Sequence, residues 1–306
     1  MSRTWDRPFY HALSDEGLQA RTMRTANAAA FRLIAHRGAS AAAPENTRAA
    51  FRLAAEHGAQ EIETDARSTR DGRVVLFHDK NLRRKLGRAG RAEDLTLAEL
   101  QRLDIGAWFD REGAAELNDP AAGWDEEYPT PAALEYVLGF DDYLEEFGDR
   151  FHHNIELKGE TPELPRAVVE ALDECGKRAR CTFISFHLDQ LERLRALAPD
   201  ATAGWLFARA GERPPSPEVV VRECRRLGLQ QCNPRFSALT EELVRAAHDA
   251  GLEVRTFGIR TTVELQRAVG LGANGATVDW FRASRRLLAG DQRSAGRTRE
   301  PETARG

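Results

Sequence analysis

The chain has 306 residues, 42% of them hydrophobic, enough for one large domain with a substantial core. Its 44 Lys and Arg and 48 Asp and Glu are interspersed and sum to a formal charge of -4, which leaves no basic stripe for nucleic acid and no polybasic membrane anchor. No apolar run approaches the ~20 residues that span a bilayer, and the N-terminus has no apolar signal core. The four cysteines (Cys175, Cys181, Cys224, Cys232) have no C-x-x-C spacing. A cytoplasmic protein with free thiols, soluble and without stable membrane association, is expected.

Residues 1–30 form a leader in which Trp5, Phe9, Tyr10 and Leu13 either pack as a short helix across a closed barrel end or stay unpacked. Arg32 to Ala35 is a short apolar strand that ends in His36-Arg37-Gly38. Pro44-Glu45-Asn46-Thr47 opens a helix through Phe51 and Leu53 that closes at Gly58. Glu61-Ile62-Glu63-Thr64-Asp65 then alternates strictly, which puts Glu61, Glu63 and Asp65 on one strand face. Asp71-Gly72 predicts a hairpin, and the strand Val74 to Phe77 delivers His78-Asp79.

Thr96 with Glu99 reads as a capping box. Trp108, Phe109, Trp124 and Tyr128 fall in an acidic, irregular stretch, and Pro129-Thr130-Pro131 predicts a helix through Leu134, Val137 and Leu138. The next strand, Phe151 to Lys158, places Glu156 and Lys158 on the same face. Five further strand-helix pairs follow: Thr182 to Phe186, Ala201 to Phe207, Leu229 to Asn233, Glu253 to Ile259 and Gly275 to Asp279, each followed by a helical segment. With Arg73 to His78 as a hairpin partner, this makes eight strands with intervening helices, a (β/α)8 TIM barrel spanning 31–289. A doubly wound open sheet is the alternative, but the chain carries no G-x-G-x-x-G or Walker A string. Residues 290–306 are polar and read as a disordered tail.

Acids two apart on a strand can share one hard cation, since carboxylate oxygens are what Mg2+ and Ca2+ prefer. Two histidines beside them can give and take protons near neutral pH. In a barrel such residues meet at the C-terminal ends of different strands.

In order and spacing, His36-Arg37-Gly38, Pro44-Glu45-Asn46-Thr47, Glu63-Thr64-Asp65 and His78-Asp79 resemble the N-terminal signature of the glycerophosphodiester phosphodiesterases. The resemblance extends from about Arg32 to about Leu288. It implies metal-dependent hydrolysis of a small-molecule glycerophosphodiester to glycerol 3-phosphate and an alcohol. It also implies one divalent cation, Mg2+ or Ca2+, on Glu63, Asp65 and Glu156, with His36 and His78 as the acid/base pair. Arg37 and Lys158 would hold the phosphodiester, and Glu45 would lie near the metal. An insertion at about 83–129 is implied over the barrel mouth, its aromatics either walling the pocket or packing onto the barrel. Asp79 either orients an imidazole or caps a turn.

The chain departs from the family pattern in three places. Arg84-Lys85-Leu86 replaces Arg-Thr-Thr, Arg255-Thr256-Phe257-Gly258 replaces Trp-Thr-Val-Asn, and no Pro follows Asp279-Trp280-Phe281. Arg255 is therefore expected to contact substrate, or else to pair with Glu61. Two other readings remain open. One is a phospholipase D-like activity on lysophospholipids or sphingolipids, with Trp108, Phe109, Trp124 and Trp280 as an apolar groove; the other is a barrel that binds phosphorylated ligands without turnover.

Overall fold

The computed structural model describes residues 30–109 and 134–290; the expected leader, the insertion beyond Phe109 and the expected tail lie outside them. Among the described residues, one sheet holds nine strands: β1 Arg32–His36, β2 Glu61–Ser68, β3 Val74–Leu76, β4 His152–Leu157, β5 Cys181–Ser185, β6 Thr202–Phe207, β7 Gln231–Pro234, β8 Glu253–Thr256 and β9 Gly275–Val278. β3 is an antiparallel hairpin partner of β2. The other eight run parallel, and β1 pairs with both β2 and β9, which closes the ring. Helices such as Arg48–Glu56, Leu164–Glu174 and Phe281–Leu288 follow the strands. The architecture is the expected (β/α)8 TIM barrel.

Alternation along the strands sorts side chains between two environments. One parity (Ala35, Ile62, Ile155, Leu157, Phe183, Phe207, Val254, Val278) packs with the helix residues Phe51, Val168, Leu191, Val220, Leu243 and Leu265 in one core. The other parity faces the lumen and is largely polar, with Glu61, Glu63, Asp65, Asn154, Glu156, Asn233 and Arg255 all buried. The apolar contribution to folding thus comes mainly from the layer between strands and helices. The lumen is held by hydrogen bonds and ion pairs, since a buried charge persists only when partnered.

Local signals account for most element boundaries. Thr47 caps Arg48–Glu56 by accepting from the Ala50 amide, and Thr96 and Glu99 form the expected capping box. Gly72, at φ +75, turns the β2–β3 hairpin. One expected helix is absent: Leu134 to Leu138 is extended. Its apolar spacing mimics a helix, but Leu134 is exposed and the backbone is recruited elsewhere. The Val137 amide donates to Leu103, and the Leu138 carbonyl accepts from Leu76. The helix begins instead at Phe140 and runs to Phe147. Val137 joins Val75, Phe77, Leu82, Leu100 and Ile105 in a small second core under the hairpin. All four cysteines are free, three of them buried.

The structure overturns the expectation that Arg255 reaches substrate. It lies deep in the lumen, with Nη1 2.6 Å from Glu61 and Nη2 3.0 Å from Glu253. Arg32 approaches Glu61 from the other side at 2.9 Å. Period-2 alternation gave Arg255 the right face but not its depth along the barrel axis. Arg255→Met is expected to leave Glu61 paired with Arg32 alone and to cost about 1.5–3 kcal/mol of stability. Substrate preference should stay unchanged, as urea melts and parallel kinetics would report.

A second buried polar group lies between barrel and helix. Tyr143 donates its hydroxyl to His153 Nδ1 at 2.6 Å, and His153 Nε2–H donates to the Gly148 carbonyl at 3.2 Å. Burial pushes His153 down to about 4, so the folded imidazole is neutral where an unfolded one would bind a proton. Its contribution is fully present above about pH 6.5 and is lost as pH falls toward 4. Urea midpoints between pH 7 and pH 4 should therefore drop less steeply in His153→Gln than in the wild type. Tyr143→Phe, which leaves Nδ1 unsatisfied, should cost about 1–3 kcal/mol at pH 7.

Candidate active site

Three carboxylates meet at the C-terminal ends of β2 and β4. Oxygens of Glu63, Asp65 and Glu156 lie within 4.8 Å of one another. Register explains it: Asp65 pairs with Glu156 across the strands, and Glu63 sits two residues back on the same face. At an effective dielectric of about 20, two full charges at such a separation repel by roughly 3 kcal/mol. Burial and the Asp65 charge push Glu63 up to about 8. Burial would raise Asp65 as well, but Arg37 and Lys158 hold its carboxyl well below the usual range.

Both of those cations belong to the site. Arg37 Nε is 3.0 Å from Asp65, and its Nη1 donates to Glu45 at 3.0 Å. Arg37 has φ 53, an uncommon left-handed backbone. Gly38 follows at φ +90, and a Cβ there would lie 2.6 Å from the Ala50 backbone. The His-Arg-Gly run is therefore a tight corner from β1 onto the Arg48–Glu56 helix. Lys158 Nζ lies 2.8 Å from Glu156 and 3.4 Å from Asp65.

Each imidazole is fixed by an aspartate. His36 donates from Nδ1 to Asp279 at 2.6 Å, and Asp279 also accepts from Ser40 at 2.7 Å. His78 donates from Nδ1 to Asp79 at 2.8 Å. With a carboxylate on Nδ1, the proton of the neutral ring sits there and Nε2 is left available. His36 Nε2 is 3.7 Å from Glu63. Burial and Arg37 lower the His36 affinity for protons, but Asp279 and Glu63 outweigh them and raise it above the ordinary value. Burial and Arg37 push His78 down to about 4.

The hairpin that carries His78 is clamped from β2. Arg67 donates to the Phe77 and His78 carbonyls at 3.1 and 3.0 Å and pairs with Glu93 at 3.0 Å. Arg84, where the family pattern also has arginine, donates to Asp79 at 2.8 Å and to Glu45 at 3.2 Å. Lys85 is buried 2.5 Å from Glu45. Glu45 is thus the hub of three cations beside the carboxylate cluster, and Asp79 orients an imidazole.

These groups open into a cavity of about 730 Å³ lined by His36, Arg37, Glu63, His78, Glu156 and Lys158 among others. Its aromatic wall is Phe186 and Phe257, whose rings meet edge-on at 5.5 Å. Trp108 and Phe109 are buried away from it, and Arg84 lies 4.6 Å over the Trp108 ring. Trp280 packs with Ala41 and Ala283. The apolar groove expected from these aromatics is therefore absent among the described residues; Trp124 and Tyr128 lie outside them. No described helix is long and apolar enough to cross a membrane.

Of the expected site residues, the structure brings together His36, Arg37, Glu63, Asp65, His78, Glu156 and Lys158, and excludes Arg255. Sequence reasoning missed the roles of Asp279, Arg67 and Lys85. An acid ending the last barrel strand was a usable signal for Asp279; Lys85 stood out only as a departure from the family pattern, and nothing in the local pattern marked Arg67.

The model of the glycerophosphoryl diester phosphodiesterase family matches residues 36–282. A glycerophosphodiester phosphodiesterase of Caldanaerobacter subterraneus is 28% identical over 250 residues, covering 81% of this chain and 93% of the relative. One from Bacillus subtilis is 26% identical over 259 residues, covering 81% and 83%. Among solved structures, an Oleispira antarctica phosphodiesterase in complex with the product sn-glycerol-3-phosphate is 26% identical, with a TM-score of 0.70 over 84% of this chain and 96% of that one. A glycerophosphodiester phosphodiesterase from Agrobacterium tumefaciens shares the fold at a TM-score of 0.64 and 24% identity, over 85% and 99%. Because the family model runs from the first histidine of the site to the helix after the last barrel strand, this chain belongs to the glycerophosphoryl diester phosphodiesterase family and is a phosphoric diester hydrolase.

Proposed function

We propose that the chain hydrolyses a glycerophosphodiester to glycerol 3-phosphate and an alcohol, using one divalent cation and the two imidazoles His36 and His78. The observation that carries this reading is the carboxylate cluster itself. Glu63 Oε2 and Asp65 Oδ1 are buried and accept no hydrogen bond, although they converge with Glu156 beside the cavity. His36 at 3.7 Å and Lys158 at 3.4 Å ion-pair with these oxygens without hydrogen-bonding them. Buried oxygens left so are costly, and an all-oxygen donor set suits Mg2+ or Ca2+. Glu63, Asp65 and Glu156 would hold that ion. When bound, it would supply Lewis-acid polarisation of the phosphoryl oxygens.

The remaining steps belong to side chains. Arg37 and Lys158 stand where they can balance phosphoryl charge, the first as a planar fork and the second as a point charge. The glycerol hydroxyl next to the ester attacks phosphorus, and one imidazole Nε2 takes its proton. The other imidazole returns a proton to the departing alkoxide. Water then opens the cyclic phosphate with the two roles reversed. Asp279 and Asp79 keep both rings in the tautomer that this exchange requires.

Chelation with EDTA should abolish turnover of glycerophosphocholine, and Mg2+ or Ca2+ should restore it. Adding the effective ion to chelated protein should raise Tm by several degrees, as ligand binding to the folded state requires. Glu63→Gln should lose most of that rise. A Tm indifferent to both ions would remove the cation from the site. His36→Ala and His78→Ala should each lower kcat by about 10²–10⁴-fold while keeping the wild-type circular dichroism spectrum. A full-rate variant on a substrate with a poor leaving group would take that histidine out of the mechanism.

A further inference from the structure

The carboxylates of the cavity are confined to one side, where Arg37, Arg67, Lys80, Arg91 and Lys158 stand among them. These carboxylates, Glu63, Glu156, Glu160 and Asp279, come from β2, β4 with its following loop, and the end of β9. From Ile184 on β5 to Arg260 after β8, the cavity wall holds no carboxylate but three arginines, Arg209, Arg235 and Arg260. Arg235 directly follows β7, which lies four strands from β2 around the ring of eight. It therefore faces the carboxylate cluster across the mouth.

Arg235 differs from the other arginines of the site. Arg37 and Arg67 are each paired to an acid, and Arg209 lies 3.7 Å from Glu212 and 4.2 Å over the Phe186 ring. Among the described residues, the Arg235 guanidinium has no carboxylate within 4.0 Å. It rests against Gly258, where an added Cβ would lie 3.3 Å from its Cζ and Nη1. The glycine at φ +72 that replaces the family's asparagine thus leaves room for the guanidinium. Beside it, Phe186 and Phe257 offer apolar faces to the body of a ligand. A half-buried guanidinium next to a cavity, with no acid of its own, is a receptor for an anionic group.

The geometry points to Arg235 as a specificity-determining residue that selects substrates whose alcohol carries a second phosphate. This inference rests on the phosphodiesterase reading above, with the scissile phosphorus held between His36, His78 and the carboxylate cluster. The alcohol then extends over Phe186 and Phe257 toward β7, and its phosphate meets the Arg235 fork. A cationic alcohol such as choline would meet like charge there.

The test compares kcat/KM for glycerophosphoinositol 4-phosphate and glycerophosphoinositol, which differ only in the second phosphate. The wild type should prefer the former by about tenfold or more, and the ratio should shrink as ionic strength rises. Arg235→Gln should bring the ratio close to one, a loss of about tenfold or more, as removal of a charged hydrogen bond predicts; Arg235→Lys should keep part of it. Equal kcat/KM values in the wild type, or a salt-independent ratio, would overturn the assignment while leaving the phosphodiesterase reading intact. So would a preference for glycerophosphoserine over glycerophosphoethanolamine with none for the phosphorylated inositol, which would point to a carboxylate instead. Turnover of none of the four would sink the phosphodiesterase reading, and this inference with it.

Discussion

The guanidinium of Arg37 is the contact on which the rest of the site depends. It bridges Asp65 and Glu45, two buried acids from different segments, and its backbone amide donates to the Glu63 carbonyl at 2.8 Å. Without that charge, Asp65 would share Glu63's difficulty, since burial and proximity favour the protonated form of each. The left-handed corner at Arg37 carries a steric cost of its own. The corner persists because both sides of it are anchored: Asn46 donates its amide to the Arg37 carbonyl at 2.9 Å, and Ala39 donates to Ala50 at 3.0 Å. Asn46, itself at φ 59, then bonds Asp65 at 2.8 Å through its side chain. Backbone strain, buried charge and the position of the acids are thus one coupled arrangement.

That coupling explains what could be read beforehand. The barrel was legible because strands of period 2 and helices of period 3.6 alternate along the chain, and because the apolar parity packs under the helices. The acids were legible because Glu63 and Asp65 share a strand face and Glu156 ends a neighbouring strand. Depth was not legible. Glu61 and Glu63 have the same parity, yet one holds Arg255 in the lumen interior and the other belongs to the mouth. Successive same-face residues are about 7 Å apart along a strand, enough to separate structural ion pairing from chemistry.

Partners distant in sequence were the other blind spot. His36 and Asp279 are 243 residues apart and meet only because β1 closes the ring against β9. Arg235 and Gly258 belong to neighbouring strand ends, and their contact depends on a backbone conformation that one residue type gives little hint of. The extended stretch before Phe140 was misread for a related reason. Three apolar residues at helical spacing are too few to outweigh the backbone hydrogen bonds offered by Leu76 and Leu103.

The two imidazoles are mounted differently. His36 ends a strand flanked on both sides by parallel neighbours, whereas His78 sits beyond a three-residue strand that touches the barrel along one edge only. A change of length or sequence in the turn at Asp71-Gly72 would move His78 relative to the carboxylates and leave His36 in place. One imidazole of the cavity is therefore carried by the closed ring and the other by the hairpin that Arg67 clamps to it. A hairpin of different length would set the second imidazole at a different distance from the carboxylates while the lumen side chains of the ring kept their packing.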